Sequence, residues 1–142
     1  MMTGLWVVIA AVLVALGFGG YRRITDGRAR LAQAATERLD AGRLGGDLGS
    51  EATFVQFSAT VCAPCRATHR VLSDVSAERP GIAHIDLNAE ARLDLVDEFG
   101  ITRTPTVLVL DADGVVRHRI VGAARKNEVL GALDELASRP AA

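Results

Sequence analysis

Polar and apolar positions divide this chain into three stretches of different rhythm. From Thr3 to Tyr21 there is no charged side chain, and Leu5 to Leu16 is nearly all Val, Ile, Ala and Leu. Nineteen helical residues at a rise of roughly 1.5 Å each cover about 28 Å, close to the hydrocarbon core of a bilayer. The run therefore predicts one N-terminal transmembrane helix over residues 3–21. A cleaved signal peptide would carry Lys or Arg ahead of its apolar core, and Met1 to Gly4 has neither. Arg22, Arg23, Arg28 and Arg30 crowd the C-terminal flank, so the positive-inside rule places the chain beyond Tyr21 in the cytoplasm. A single-pass protein of the cell membrane is expected, with its folded part on the cytoplasmic side.

Residues 22–43 form the second stretch. Thr25 to Leu39 reads as a polar, Ala- and Arg-rich helix with a weak apolar stripe, a helical stalk or linker. Gly42, Gly45, Gly46 and Gly49 then interrupt the pattern.

The third stretch, residues 44–139, reads as one domain. Thr53 to Ser58 is a short apolar run rich in strand formers. Ala63 to Glu78 comes next with Ala67, Val71 and Val75 four apart, the spacing of a helix with one buried face. Pro80-Gly81 stops it. Ile82 to Leu87 predicts a second strand, and Glu90 to Phe99 a second helix capped by Gly100. Thr106 to Leu110 is continuously apolar, as in a sheet covered on both faces. Asp111-Ala112-Asp113-Gly114 is turn chemistry, so Val115 to Val121 returns as a hairpin strand. Val129, Leu130, Leu133 and Leu136 close the chain with an amphipathic helix after Gly122. The predicted order is β-α-β-α-β-β-α, an α/β sandwich with chemistry at the C-terminal end of its central strand.

Composition adds limits. The chain has 142 residues, of which 49% are hydrophobic, and its formal net charge is −1. That length suits one domain with a real core, and nothing in the charge balance points to nucleic acid. Two cysteines cannot make a disulfide-stapled scaffold. They stand together, in Cys62-Ala63-Pro64-Cys65, after the first strand and at the head of the first helix. On a helix's first turn, unpaired N–H groups and the positive dipole end stabilise a thiolate. The three-residue separation lets the second sulfur close a small ring, so attack and resolution share one spot. With His69 four residues on, the pair supplies three of a zinc site's four ligands, and no fourth is in sight. Asp111 to Gly114 begins like a calcium loop without its remaining ligands. No metal or organic cofactor is expected.

That element order resembles the thioredoxin family, through Cys62-Ala63-Pro64-Cys65-Arg66, Thr104-Pro105-Thr106 before the hairpin, and Gly122 after it. The resemblance covers roughly Leu44 to Ser138. It implies a thioredoxin-like three-layer sandwich with a mixed sheet, preceded here by the transmembrane helix. It implies a thiol–disulfide oxidoreductase in which Cys62 is the exposed nucleophile and Cys65 the buried resolving thiol. Pro105, in its cis form, would pack beside them. Val61, Thr104, Pro105 and Gly122 would flank the substrate groove, where an extended chain bonds to backbone. Implied partners are protein disulfide substrates and an electron donor, such as a thioredoxin reductase or another dithiol protein.

The chain also departs from the family. Val61 stands where a Trp often precedes the first cysteine. Gln56 replaces the buried Asp six residues ahead of it, and Gln is no base near neutral pH. The neighbouring lysine aligns with His84. His69, Arg66 and Arg70 read as solvent-facing helix residues, and Gln56 as a hydrogen-bonded core amide. The cytoplasmic placement sets the expected direction, that of a reductase. Two other readings stay open. One is a domain on the exported side that serves cytochrome maturation or oxidative folding. The other is a non-catalytic adaptor presenting the Thr104-Pro105 groove.

Overall fold

The computed structural model describes residues 4–19 and 37–139, in two compact units that divide after Gln33. In the first unit, residues 4–19 form one helix, α1, with its large apolar side chains exposed, among them Leu5, Trp6, Val8, Leu13 and Phe18. It covers residues 4–19 of the expected 3–21, and Thr3, Gly20 and Tyr21 lie outside the described residues. Among the described residues, no helix is long and apolar enough to cross a membrane. Most of the expected stalk, residues 22–36, also lies outside them.

The second unit contains α2 (Ala41–Leu44), β1 (Ala52–Ser58), α3 (Ala63–Glu78), β2 (Ile82–Asn88), α4 (Leu93–Glu98), β3 (Thr106–Asp111), β4 (Val116–Val121) and α5 (Lys126–Ala137). The strands form one mixed sheet in the order β2-β1-β3-β4. β1 runs parallel to β2 and antiparallel to β3, and β3 runs antiparallel to β4. Alternation along the two central strands builds two cores. Val55, Phe57, Leu108 and Leu110 face Leu95 and Phe99, around α4. Phe54, Val107 and Val109 face Leu72 and Val75 of α3 and Val129 and Leu133 of α5. Both faces are dry, which explains why β1 and β3 read as unbroken apolar runs.

Several boundaries move for identifiable reasons. Residues 37–43, placed in the stalk by the sequence pattern, belong to the domain. Leu39 is fully buried, and its N–H donates to Gly114 O (2.8 Å) while Val116 N–H donates to Glu37 O (2.9 Å). Gly114 makes that strap feasible. Its φ is +79°, and a Cβ there would stand 2.1 Å from Leu39 O. The buried side of α3 is Cys65, Thr68, Leu72 and Val75, with Ala67 exposed. Polar Thr68 hides this stripe in sequence, yet its Oγ1 accepts the Ala124 N–H at 3.1 Å. Helix α4 begins at Leu93 rather than Glu90. Asn88 to Arg92 form turns instead, with Asn88 Oδ1 accepting from Glu90 N–H at 2.9 Å. Asp111 Oδ1 accepts from the N–H groups of Asp113 and Val115 (both 3.0 Å), so this carboxylate serves its own turn. Burial opposes its charge, but Arg117 Nε at 2.6 Å and those two N–H groups outweigh burial and hold its pKa below the ordinary value.

Candidate active site

Strand β1 ends at Ser58, and a short turn beyond it the chain enters α3 with Cys62 as its N-cap. The Cys62 backbone is extended (φ −152°), and its Sγ accepts the Cys65 N–H at 3.2 Å. Pro64 fits the first turn, where its missing N–H would have had no helical partner. The two cysteines form a disulfide, with Cα atoms 5.2 Å apart. Cys62 is partly exposed, whereas Cys65 retains 4% of its surface. An incoming sulfur therefore reaches Cys62 first. In the reduced form, helix-end donors such as the Cys65 N–H favour a thiolate on Cys62.

Of the other residues singled out by sequence, Thr104 and Pro105 are joined by a cis peptide bond. Gly122 N–H donates to Pro105 O at 2.8 Å, so these two are linked directly. Gly122 adopts φ +92°, a conformation that other residues adopt only with strain. Val61 is 92% exposed immediately before Cys62, a large apolar side chain presented to solvent. None of Val61, Thr104, Pro105 or Gly122 lines the cleft that holds the cysteines. That cleft, about 390 Å³, is bounded by Ser58, Thr60, both cysteines and, on the α3–β2 side, Arg66, His69, Arg70 and Asp86. A larger cavity of about 530 Å³ opens at the opposite end of the sheet, among Arg38, Glu51, Arg79 and Arg139, and contains neither cysteine.

Behind the cysteines runs a polar chain in which every hydrogen can be placed. Gln56 is fully buried, and its Nε2 donates to Cys65 O and to Ser58 Oγ (both 2.9 Å). A carbonyl only accepts, so the amide orientation is fixed and Oε1 faces His84 Nε2 at 3.2 Å. His84 Nε2 must then carry the hydrogen, and Nδ1 accepts from Ser73 Oγ at 3.2 Å. Ser58 Oγ donates onward to Asp86 Oδ1 at 2.7 Å, and His69 Nδ1 meets Asp86 Oδ2 at 3.0 Å. The two imidazoles lie 4.8 Å apart. Gln56 is thus the core amide expected. The residue across the ladder from Gln56 is Asp86, while His84 pairs with Phe54 and reaches Gln56 through its side chain. His69, expected to be merely solvated, is tied to that carboxylate.

His84 has a pKa pushed down from 6.5 to about 4, first by burial and then by His69, with Asp86 pulling the other way. An unfolded histidine binds a proton below about 6.5, whereas the folded ring does not until about 4. The unfolded state therefore holds more protons in that window, and stability is lost as pH falls through it. Urea unfolding of His84→Gln should show a flatter pH dependence between those values than the parent. Equal slopes would assign the acid sensitivity elsewhere.

Sequence reasoning misses Asp86, Ser58 and the engagement of His69. Only the β1–β2 register brings the first two together, and a linear pattern of residues does not carry register.

Residues 48–137 match the thioredoxin-like domain family. The chain is 34% identical to a thioredoxin of Mycolicibacterium smegmatis over 89 residues, spanning 61% of this chain and 79% of that one. It is 31% identical to a thioredoxin of Chlorobaculum thiosulfatiphilum over 101 residues, spanning 70% and 85%. Among solved structures, thioredoxin NaTrxh from Nicotiana alata superposes with a TM-score of 0.54 at 29% identity, over 61% of this chain and 73% of that one. A mixed four-stranded sheet, a Cys62–Cys65 pair at a helix tip and these matches agree: the chain belongs to the thioredoxin-like family and is a thiol–disulfide oxidoreductase.

Proposed function

We propose that the chain is a membrane-tethered reductase of protein disulfides, with its folded domain in the cytoplasm. The observation that carries the exchange chemistry is the asymmetry of the two sulfurs, one accessible at a helix N-cap and one buried behind it, and the reducing direction follows from the cytoplasmic placement. Cys62 thiolate attacks a substrate disulfide, forming a mixed disulfide and releasing the first substrate sulfur. Cys65 then attacks Cys62 Sγ, which frees the second substrate sulfur and leaves the Cys62–Cys65 disulfide. Two electrons pass to the substrate, and a reduced dithiol donor, such as a thioredoxin reductase or another dithiol protein, restores the pair. Val61, Thr104, Pro105 and Gly122 provide the docking rim, with apolar contact from Val61 and backbone bonds from Thr104 to an extended segment.

The tether is supported by the uncharged stretch from Thr3 to Tyr21 and by the exposed apolar side chains of α1. The arginines just beyond it support the cytoplasmic side. One experiment tests the whole reading, using membranes from cells that produce the full chain. Inverted vesicles should accelerate insulin reduction by dithiothreitol well above a Cys62→Ser control, and right-side-out vesicles should not. Activity in right-side-out vesicles would move the domain to the exported side. Activity washed off with alkaline carbonate would remove the tether. No activity above the control in any fraction favours the adaptor reading, which the carboxylate-to-amide change at Gln56 motivates.

A further inference from the structure

Resolution of the mixed disulfide requires the Cys65 thiol to lose a proton. The amide of Gln56 cannot take it, since its hydrogens are committed to Ser58 and Cys65 O and its oxygen to His84. His84 is no better placed. Its Nε2 donates to Gln56, its Nδ1 accepts from Ser73, and burial disfavours its cation. In the cysteine cleft, Arg66 and Arg70 carry donors only, and the Asp86 carboxylate is engaged through Oδ1 by Ser58 Oγ and through Oδ2 by His69 Nδ1. His69 remains. It lies four residues beyond Cys65 on α3, so the two side chains leave the same helix face with Cβ atoms about 5–6 Å apart.

The carboxylate of Asp86 settles the tautomer of that ring. Asp86 has no hydrogen to give, so His69 Nδ1 is the donor in their 3.0 Å contact, and the neutral ring carries its lone pair on Nε2. Among the described residues Nε2 has no hydrogen-bond partner. Asp86 is itself fixed from the other side by Ser58 Oγ at 2.7 Å. The geometry points to Cys65, His69 and Asp86 as a proton-transfer line, in which His69 Nε2 accepts the Cys65 proton and Asp86 orients the ring and stabilises its cation. In chain terms, the base has moved from β1 to α3, and its supporting carboxylate sits on β2. The charged and titratable groups around His69 are Arg66 and Arg70 on α3 and Asp86 and the neutral His84 on β2, while β1 contributes the neutral Ser58. Glu90, in the loop beyond β2, is bound to Thr60.

The step balances. The S–H bond of Cys65 breaks and its proton goes to His69 Nε2. The Cys65 electron pair forms the bond to Cys62 Sγ, the bond from Cys62 to the partner sulfur breaks, and the departing thiolate recovers the proton from the imidazolium. The inference rests on the proposed function only in requiring that Cys65 resolve a mixed disulfide on Cys62.

The test uses the reduced full chain in detergent with less than one equivalent of dithiobis-nitrobenzoate, an aromatic disulfide whose thiolate product is coloured. Attack by Cys62 releases the first coloured thiolate, and resolution by Cys65 releases the second. His69→Gln should leave the first release unchanged and slow the second by about 100-fold or more at neutral pH, the usual scale of acid–base assistance. That gap should narrow as pH rises, because hydroxide then removes the Cys65 proton without the imidazole. Asp86→Asn should slow the second release less, and Asp86→Glu should recover the parent rate. A second release unchanged in His69→Gln, or slowed by one factor at every pH, overturns the inference. Because the probe is not a protein, a chain inactive toward insulin can still pass or fail here, which separates this outcome from the fate of the reductase reading.

Discussion

Cells producing the full chain with Cys65→Ser are expected to accumulate proteins disulfide-linked to Cys62, while cells with Cys62→Ser accumulate none. The asymmetry follows from access. Cys62 is partly open at the N-cap of α3, and Cys65 keeps 4% of its surface, too little for a protein disulfide to approach in line. With the resolving sulfur gone, nothing inside the protein can attack Cys62 Sγ, so each encounter stops at the mixed disulfide. With the outer sulfur gone, no encounter begins, and insulin reduction should fall to the dithiothreitol background. Two-dimensional electrophoresis, non-reducing and then reducing, reads the result as off-diagonal spots. Adducts on Cys62→Ser with none on Cys65→Ser would reverse the order of attack.

Phe57→Ala should give a large loss of stability, of the kind expected for the biggest side chains of the domain core. The ring is fully buried between β1 and α4, against Leu95, Phe99 and Leu108 in one cluster. Removing it exchanges well-packed contacts for a cavity, at about 3–5 kcal/mol. For a domain of this size that corresponds to a melting temperature lower by very roughly 15–30 °C. The only Trp and the only Tyr are Trp6 and Tyr21, both outside the domain, so circular dichroism is the appropriate probe. A drop of under a few degrees would mean that α4 collapses onto the sheet and fills the space.

Much of the fold is legible in the sequence because β1 and β3 are buried on both faces and leave continuous apolar runs. Turn residues at Pro80-Gly81 and Asp111 to Gly114 punctuate them. Helix α3 has the bounds expected, Ala63 to Glu78, but its buried stripe is offset, since Thr68 interrupts the apolar repeat and is satisfied only by the distant Ala124 N–H. A boundary at residue 43 falls too late because Leu39 is one apolar residue among polar ones, and its burial depends on a turn far along the chain at Gly114. The cysteines announce themselves by spacing. Their surroundings do not, because Asp86 meets Ser58 through parallel strand register, and the His69 contact crosses from helix to sheet. A pattern along one chain does not encode which residues meet across elements.

The strap at Glu37 to Leu39 has a mechanical consequence. It grips the sheet beside Gly114 and Val116, at the turn of the hairpin, whereas Cys62 lies beyond the opposite end of β1. Seven strand residues at about 3.3 Å separate these poles by roughly 20 Å. Residues 37–39 thus join the domain at the pole opposite its reactive sulfurs.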